Sequence, residues 1–312
     1  MDKDEECAIL NLKSNFDYAQ LPNLKSQMKS RGILYAIFAY LFWGTVPLYW
    51  YLLSDITPYE IVAHRILWSA VLMLILSVLV FKTDFRPIIK SGKKMLYLLG
   101  TSALITLNWA LYIWAVANGH IVDASLGYYM NPFINVILGV IFLKERLSGI
   151  QKIAIAFAFF GVAYLTYSYG TFPFVAIILA CSFAFYALLR KKARVEAMPA
   201  LTVETVIALP IALGFLVMTF VNHTNSYQLT DFSTILLIML AGPITAIPLY
   251  LFGKAAETVS MTTLGLIQYL SPTLQLIIGI LLFKESFTTA HAVCFSSIWL
   301  GLILYTIYLV RE

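Results

Sequence analysis

Polar and apolar residues are sorted into blocks along this chain. Ten apolar stretches lie between residues 32 and 310, and the charged residues gather in the short gaps between them. The stretches cover residues 32–53, 58–81, 95–116, 124–143, 150–169, 172–189, 201–221, 233–253, 261–283 and 291–310. Each is close to the roughly 20 apolar residues that a helix needs to cross a bilayer. Membrane strands would be about 10 residues long and would alternate in polarity, whereas these runs are continuous. A helix satisfies its own backbone groups in lipid, so continuous runs predict helices. The expected fold is an all-α membrane protein with ten transmembrane helices.

Composition agrees with that solvent. Of 312 residues, 61% are hydrophobic and 12% charged, and the mean hydropathy is +0.83. A soluble chain of this length would need far more polar surface. The basic residues then set an orientation. With the N-terminus in the cytoplasm, nineteen of the 21 Lys and Arg residues fall in cytoplasmic segments, Lys284 falls outside, and Arg65 falls within the second span. The positive-inside rule therefore predicts that both termini are cytoplasmic. The net charge of +5 reads as a topology signal, and no nucleic-acid partner is expected. Residues 1–31 form a polar cytoplasmic tail, expected to be disordered or a short interfacial helix. Its acidic start, Asp2, Asp4, Glu5 and Glu6, is unlike a cleavable signal peptide.

The chain repeats itself. Asn131-Pro132, Gly139 and Lys144-Glu145 return as Ser271-Pro272, Gly279 and Lys284-Glu285, at a constant offset of 140 that continues through Gly161 and Gly301. Just upstream, Tyr112, Ala115, Ala117 and Leu126-Gly127 are echoed by Tyr250, Gly253, Ala255 and Leu264-Gly265 at an offset of 138. The predicted units are a first five-helix repeat over 32–170 and a second over 171–312. Five is odd, so the second unit must start from the opposite side of the membrane. Two inverted-topology repeats are characteristic of secondary transporters with a site near the midplane.

Particular stretches resemble a known family. They are Glu60-Ile-Val-Ala-His64-Arg65-Ile-Leu-Trp68-Ser69, Asn108-Trp109 with Trp114-Ala115-Val116, Ala124-Ser-Leu-Gly127-Tyr-Tyr-Met-Asn131-Pro132, Phe183-Ala-Phe-Tyr186 with Arg190-Lys191-Lys192, and Gln268-Tyr269 with Pro272-Thr273. Over about residues 28–311 the chain resembles the drug/metabolite transporter superfamily and, within it, the RarD-type EamA permeases. The resemblance implies a ten-helix basket of two inverted halves in the bacterial inner membrane, exporting or exchanging small metabolites. RarD-type proteins are named for an association with chloramphenicol handling, and relatives of similar fold move amino acids and other metabolites.

Two polar stripes stand out within the spans. Tyr128, Asn131, Asn135 and Gly139 share one helix face, as do their repeat mates Gln268, Ser271, Gln275 and Gly279. Uncharged hydrogen-bonding stripes suit a pathway for a neutral or zwitterionic solute; the alternative is interhelical packing, which also favours Asn, Gln, Ser and Gly. Pro132 and Pro272 each remove an amide proton from a helix interior and are candidate kinks or hinges. Asn108 and Trp109 interrupt the third span and are further candidates for solute contact. Glu60, His64 and Arg65 form a dense ionisable cluster within the second span. Such residues need a partner or a water-filled cavity. Glu60 and His64 are candidates for gating or proton relay with Arg65 as counter-ion or carboxylate clamp; the alternative is a structural ion-pair knot. Glu204, at the start of the seventh span, reads as interfacial.

The remaining chemistry excludes other classes. Cys7, Cys181 and Cys294 have no paired spacing, His64, His120, His223 and His291 are scattered, and neither a phosphate-binding G-x-x-x-x-G-K-[ST] loop nor an H-E-x-x-H motif occurs. No metal and no cofactor is expected. The expectation is a secondary transporter, not an enzyme, moving a small neutral, zwitterionic or amphipathic metabolite or drug and compatible with proton coupling. Its partners would be that small molecule and the lipid bilayer; a homo-oligomer is compatible but not required. The alternatives are an intramembrane acid–base enzyme or a membrane sensor or scaffold.

Overall fold

The computed structural model describes residues 21–117, 121–170, 174–227, 231–282, 284 and 288–311. Most of the expected tail, with Cys7, lies outside the described residues, as do His120, Phe172, Phe283 and Glu285. The described residues are helical apart from short connections. The helices are α1 (Leu21–Tyr51), α2 (Pro58–Ile75), α3 (Arg86–Ile89), α4 (Gly92–Ala117), α5 (Ile121–Leu143) and α6 (Gly149–Tyr169). The second half holds α7 (Phe174–Ala193), α8 (Ala197–Val221), α9 (Phe232–Thr258), α10 (Met261–Gln268), α11 (Leu270–Leu281) and α12 (Thr289–Arg311). Ten helical segments among the described residues are long and apolar enough to cross a membrane, the ninth being α10 and α11 together. Large apolar side chains such as Leu79, Ile211 and Leu281 are exposed on the outside, which is stable only against lipid.

Several boundaries differ from the sequence reading; α9, for one, runs on to Thr258 rather than 253, and three others bear on the site. Helix α1 starts at Leu21, so residues 21–31, expected as tail, continue the first span as helix. Helix α7 runs on to Ala193, taking Arg190, Lys191 and Lys192 into its last turn. There Lys191 reaches carbonyls at the end of α9, Arg190 donates to Ala197 O at the start of α8, and Lys192 lies over the Phe142 ring. Helix α8 starts at Ala197, before the expected 201, because Pro199 sits in its first turn, where a missing amide costs nothing.

The packing pattern carries the repeat. Helices α2, α5 and α6 pack against α8, α10 and α12, so each meets its own repeat mate. The other main contacts come as exchanged pairs: α4 on α7 with α9 on α1, α5 on α7 with α11 on α1, and α2 on α9 with α8 on α4. That is the contact set of two equivalent halves related by a pseudo-two-fold axis.

Local details repeat as well. Ser148 and Gln151 form a capping box at the start of α6, with Gln151 N donating to Ser148 Oγ at 3.3 Å and Ser148 N to Gln151 Oε1 at 2.9 Å. At an offset of 140, His291 N donates to Thr288 Oγ1 at 3.4 Å and Thr288 N to His291 Nδ1 at 3.3 Å at the start of α12. Both boxes satisfy orphan amides of a first turn. Lys144 and Lys284 both take positive φ, 56° and 54°. Behind Lys144, Glu145 N donates to Gly139 O at 3.1 Å, which satisfies a carbonyl of the last turns of α5.

Candidate functional site: a central cavity

The break between α10 and α11 builds the site's second wall. Pro272 has no amide to offer Gln268 O, and its ring crowds that carbonyl. The helix accordingly breaks at Tyr269. Pro132 stands in the same relation to Tyr128 O, yet α5 stays continuous around it. The carbonyls freed by the two prolines thus belong to repeat mates, Tyr128 and Gln268.

Between these helices lies a cavity of about 1100 Å³ of empty space, open solvent at its mouth included. Asn108, Trp109, Tyr128, Asn131, Gln268, Ser271 and Gln275 all line it, with Arg65, Trp50, Tyr112 and Pro272. Tyr40, Trp43, Phe183 and Leu249 line it from deeper in the bundle. Tyr112 and Tyr128 are each more than a third exposed, whereas Tyr40 is 1% exposed. The cavity is therefore open near the end of the bundle that carries Trp50 and Tyr112, and closed towards Tyr40.

The polar candidates divide by what they touch. Asn135 is fully buried and lies outside the lining. Its Nδ2 donates to Asn131 Oδ1 and to Gln268 Oε1, both at 3.0 Å, tying the two stripes together. Asn108 Nδ2 donates to Leu179 O and Ser182 Oγ, each at 2.9 Å, and Asn131 Nδ2 to Ala180 O at 2.7 Å. Both lock α7 against the first half while the rest of the side chain faces the cavity. Gln275 Nε2 donates to Trp43 O at 3.2 Å and Ser271 Oγ at 3.3 Å.

The ionisable cluster of α2 is split. Glu60 and His64 do not line the cavity. The Glu60 carboxylate accepts from Thr57 Oγ1 at 2.8 Å, from Ser226 N at 3.1 Å and from Ser226 Oγ. His64 Nε2 lies 3.0 Å from Tyr227 Oη, so these two side chains hold the loop after α8 onto α2. Burial, and then the Glu60 charge, raise the Tyr227 phenol above its ordinary pKa. Arg65 is one position, about 100°, round the helix and turns into the cavity. Its Cζ lies 4.8 Å from the Trp50 ring centroid and 4.5 Å from that of Trp109, and its Nε donates to Thr245 Oγ1 at 2.9 Å.

The closed side holds residues that the sequence reading passed over. Tyr40, Trp43, Phe183, Tyr186 and Phe252 form an aromatic plug, with neighbouring centroids such as Trp43–Phe183 at 5.8 Å and Phe183–Phe252 at 5.6 Å. Glu204, expected at the interface, is instead 2% exposed. The early start of α8 carries it inward, to 3.5 Å from Arg190 Nε and within 2.8 Å of Thr101 Oγ1. Three more charged side chains close helix ends there. Glu145 accepts from Met261 N at 2.7 Å, Thr262 N at 3.0 Å and Thr262 Oγ1 at 2.8 Å. Glu257 Oε1 accepts from Ala197 N at 2.7 Å, and Lys191 Nζ donates to Ala256 O at 2.9 Å and to Val259 O. Each satisfies a backbone group left orphaned at a helix terminus. A clue existed in the run Arg190-Lys191-Lys192 beside a span, but its reach to another helix is a tertiary fact.

Comparisons with known proteins agree with this architecture. The model of the EamA-like transporter family matches twice, over residues 30–167 and 172–307. An uncharacterized transporter of Bacillus subtilis, YojE, is 41% identical over 283 residues, covering 88% of this chain and 93% of its own. The protein RarD of Escherichia coli is 36% identical over 283 residues, covering 90% of this chain and 96% of its own. A crystal structure that is 16% identical superposes with a TM-score of 0.68, over 90% of this chain and 98% of its own; at that identity the likeness concerns the fold. The chain therefore belongs to the EamA-like transporter family and is a multi-pass permease of the bacterial cytoplasmic membrane.

Proposed function

We propose that the protein is a secondary transporter that binds a small neutral, zwitterionic or amphipathic solute in the central cavity. The observation that carries this reading is the joint lining: Tyr128 and Asn131 from the first half, with Gln268, Ser271 and Gln275 from the second. Uncharged donors and acceptors from both repeats converge there between aromatic walls, as a site at a repeat interface requires. In this reading the halves 32–170 and 171–312 are the moving units, and both termini are cytoplasmic. The open mouth then faces outside, and the plug with Arg190 and Glu204 seals the cytoplasmic side. Asn135 acts as the hinge pin between the stripes, Pro132 and Pro272 give the bend, and Glu60 and His64 form the outer gate and proton relay.

The test compares intracellular and extracellular metabolites in cells expressing the wild type, Ser271→Trp or an empty vector, with the two proteins matched in membrane level. A solute class redistributed by the wild type alone supports the cavity as the path. Equal redistribution by Ser271→Trp, which fills the cavity, refutes it.

A further inference from the structure

We propose that Arg65 is the anchor for a carboxylate on the transported solute. This deepens the reading above and rests on it. A cation within a span is costly to desolvate and persists where a partner or function holds it. Among the described residues, Arg190–Glu204 and Lys254–Glu257 are ion pairs, and Arg65 has no carboxylate within ion-pair distance. What surrounds it is a holder, not a counter-charge: two indole rings and the Thr245 hydroxyl. The rings stabilise the charge through their faces, and Thr245 fixes the orientation through Nε. Among the described residues no hydrogen bond engages either Nη group, and Arg65 lines the cavity.

The chemistry of the opposite wall decides what they would bind. Gln268, Ser271 and Gln275 are uncharged, and among the described residues no acidic side chain lines the cavity. Among the described lining residues a solute cation therefore finds no fixed counter-charge, whereas a carboxylate finds a guanidinium fork that matches it with two parallel hydrogen bonds. Around that point the walls are aromatic, so the body that fits is apolar or flat. The carboxylate belongs either to a simple organic acid or to an amino acid.

Four phenyl-bearing probes of similar length separate the cases: 3-phenylpropionate, phenylalanine, 3-phenylpropanamide and 3-phenylpropylamine. Binding to the purified full-length protein in detergent is followed by tryptophan fluorescence and by thermal stabilisation. The better of the two carboxylates is expected to bind at least about tenfold more tightly than the amide and the amine, the size of one charge-assisted bidentate contact. Arg65→Gln is expected to abolish that preference, and Arg65→Lys to retain part of it. A wild type with no preference for either carboxylate overturns the anchor, as does Arg65→Gln with the preference intact. Should Arg65→Gln not fold, the wild-type ratios and Arg65→Lys decide. Failure of the cavity reading is distinguishable. With Cys7, Cys181 and Cys294 replaced by Ala, Gln275→Cys carrying a bulky maleimide should block all four probes. Unblocked binding would place the solute elsewhere, whereas blocked binding without a carboxylate preference removes the anchor alone.

Discussion

Gly161 of α6 and Gly301 of α12 occupy the same crossing from opposite sides. A Cβ on Gly161 would stand 2.7 Å from Cys294 O, and one on Gly301 would stand 2.7 Å from Ala154 O. Ala154 and Cys294 are themselves 140 residues apart, as the glycines are. The two repeats therefore meet here through one contact used twice, backbone against backbone. Because neither carbonyl can swing aside, Gly161→Ala and Gly301→Ala should each destabilise the protein by about 1–3 kcal/mol. Gly214, where an added Cβ would meet nothing within 4 Å, should accept Ala without loss. Thermal midpoints in detergent check this, and unequal losses at the two crossing glycines would count against equivalent halves.

What the sequence reveals here follows from the solvent. Lipid demands long apolar helices with internally bonded backbones, so the spans are visible as blocks, and duplication is visible through Pro132 with Pro272 and Gly139 with Gly279. Stripe positions are legible too, because a helix face is a matter of spacing. Partners are not. Arg65 stands beside His64 in sequence but points to Trp50 and Trp109, and no local pattern encodes that. Arg190 and Lys191 count as loop charges in an orientation argument, which is indifferent to whether they reach back to Ala197 or Val259. Pro199 reads equally well as a breaker or a first-turn residue, and that ambiguity hides the burial of Glu204.

Two neighbouring amides should behave differently when truncated. Asn135 is fully buried and donates to Asn131 within α5 and to Gln268 across to α10, so Asn135→Ala should cost about 1 kcal/mol, roughly 0.6 of it for the single interhelical bond in lipid. It should show as reduced folded yield and a lower thermal midpoint. Gln275 lines the cavity and is only partly buried, so Gln275→Ala should lower both quantities by no more than its one interhelical bond to Trp43 O, roughly 0.6 kcal/mol, and should change which solutes compete for transport. The reverse pattern would exchange their assignments.

Arg190 and Glu204 test the seal on the closed side. Both are nearly inaccessible, at 2% side-chain exposure each. Removing one partner leaves an uncompensated buried charge, a loss of about 3–5 kcal/mol, whereas replacing both by apolar groups is often near neutral. Arg190→Leu and Glu204→Leu should each depress folded yield sharply, and the double variant should recover most of it. Additive losses in the double variant would show that the pair is not coupled.

Glu145 bears on which side is open. Its carboxylate caps the first turn of α10 across the α5–α6 connection, and Gly139 leaves room for it: a Cβ there would lie 2.8 Å from Glu145 Oε2. These bonds exist only while the ends of α5 and α10 stay together, so they stabilise the conformer closed on this side. Loss of an N-terminal cap costs about 1–2 kcal/mol. Taken from one conformer only, that shifts the ratio of the two conformers by roughly 5- to 30-fold. Glu145→Ala should therefore expose the region where Lys191 meets Ala256. In a background without other cysteines, Ala256→Cys should react about tenfold faster with an impermeant maleimide applied to that side when Glu145 is Ala. Solute binding from the opposite side should weaken only slightly while the conformer open there still dominates, because the apparent Kd scales with the inverse of the competent fraction. Unchanged labelling in a folded Glu145→Ala protein would reduce the cap to a local fastening of α10, with no part in the change of access.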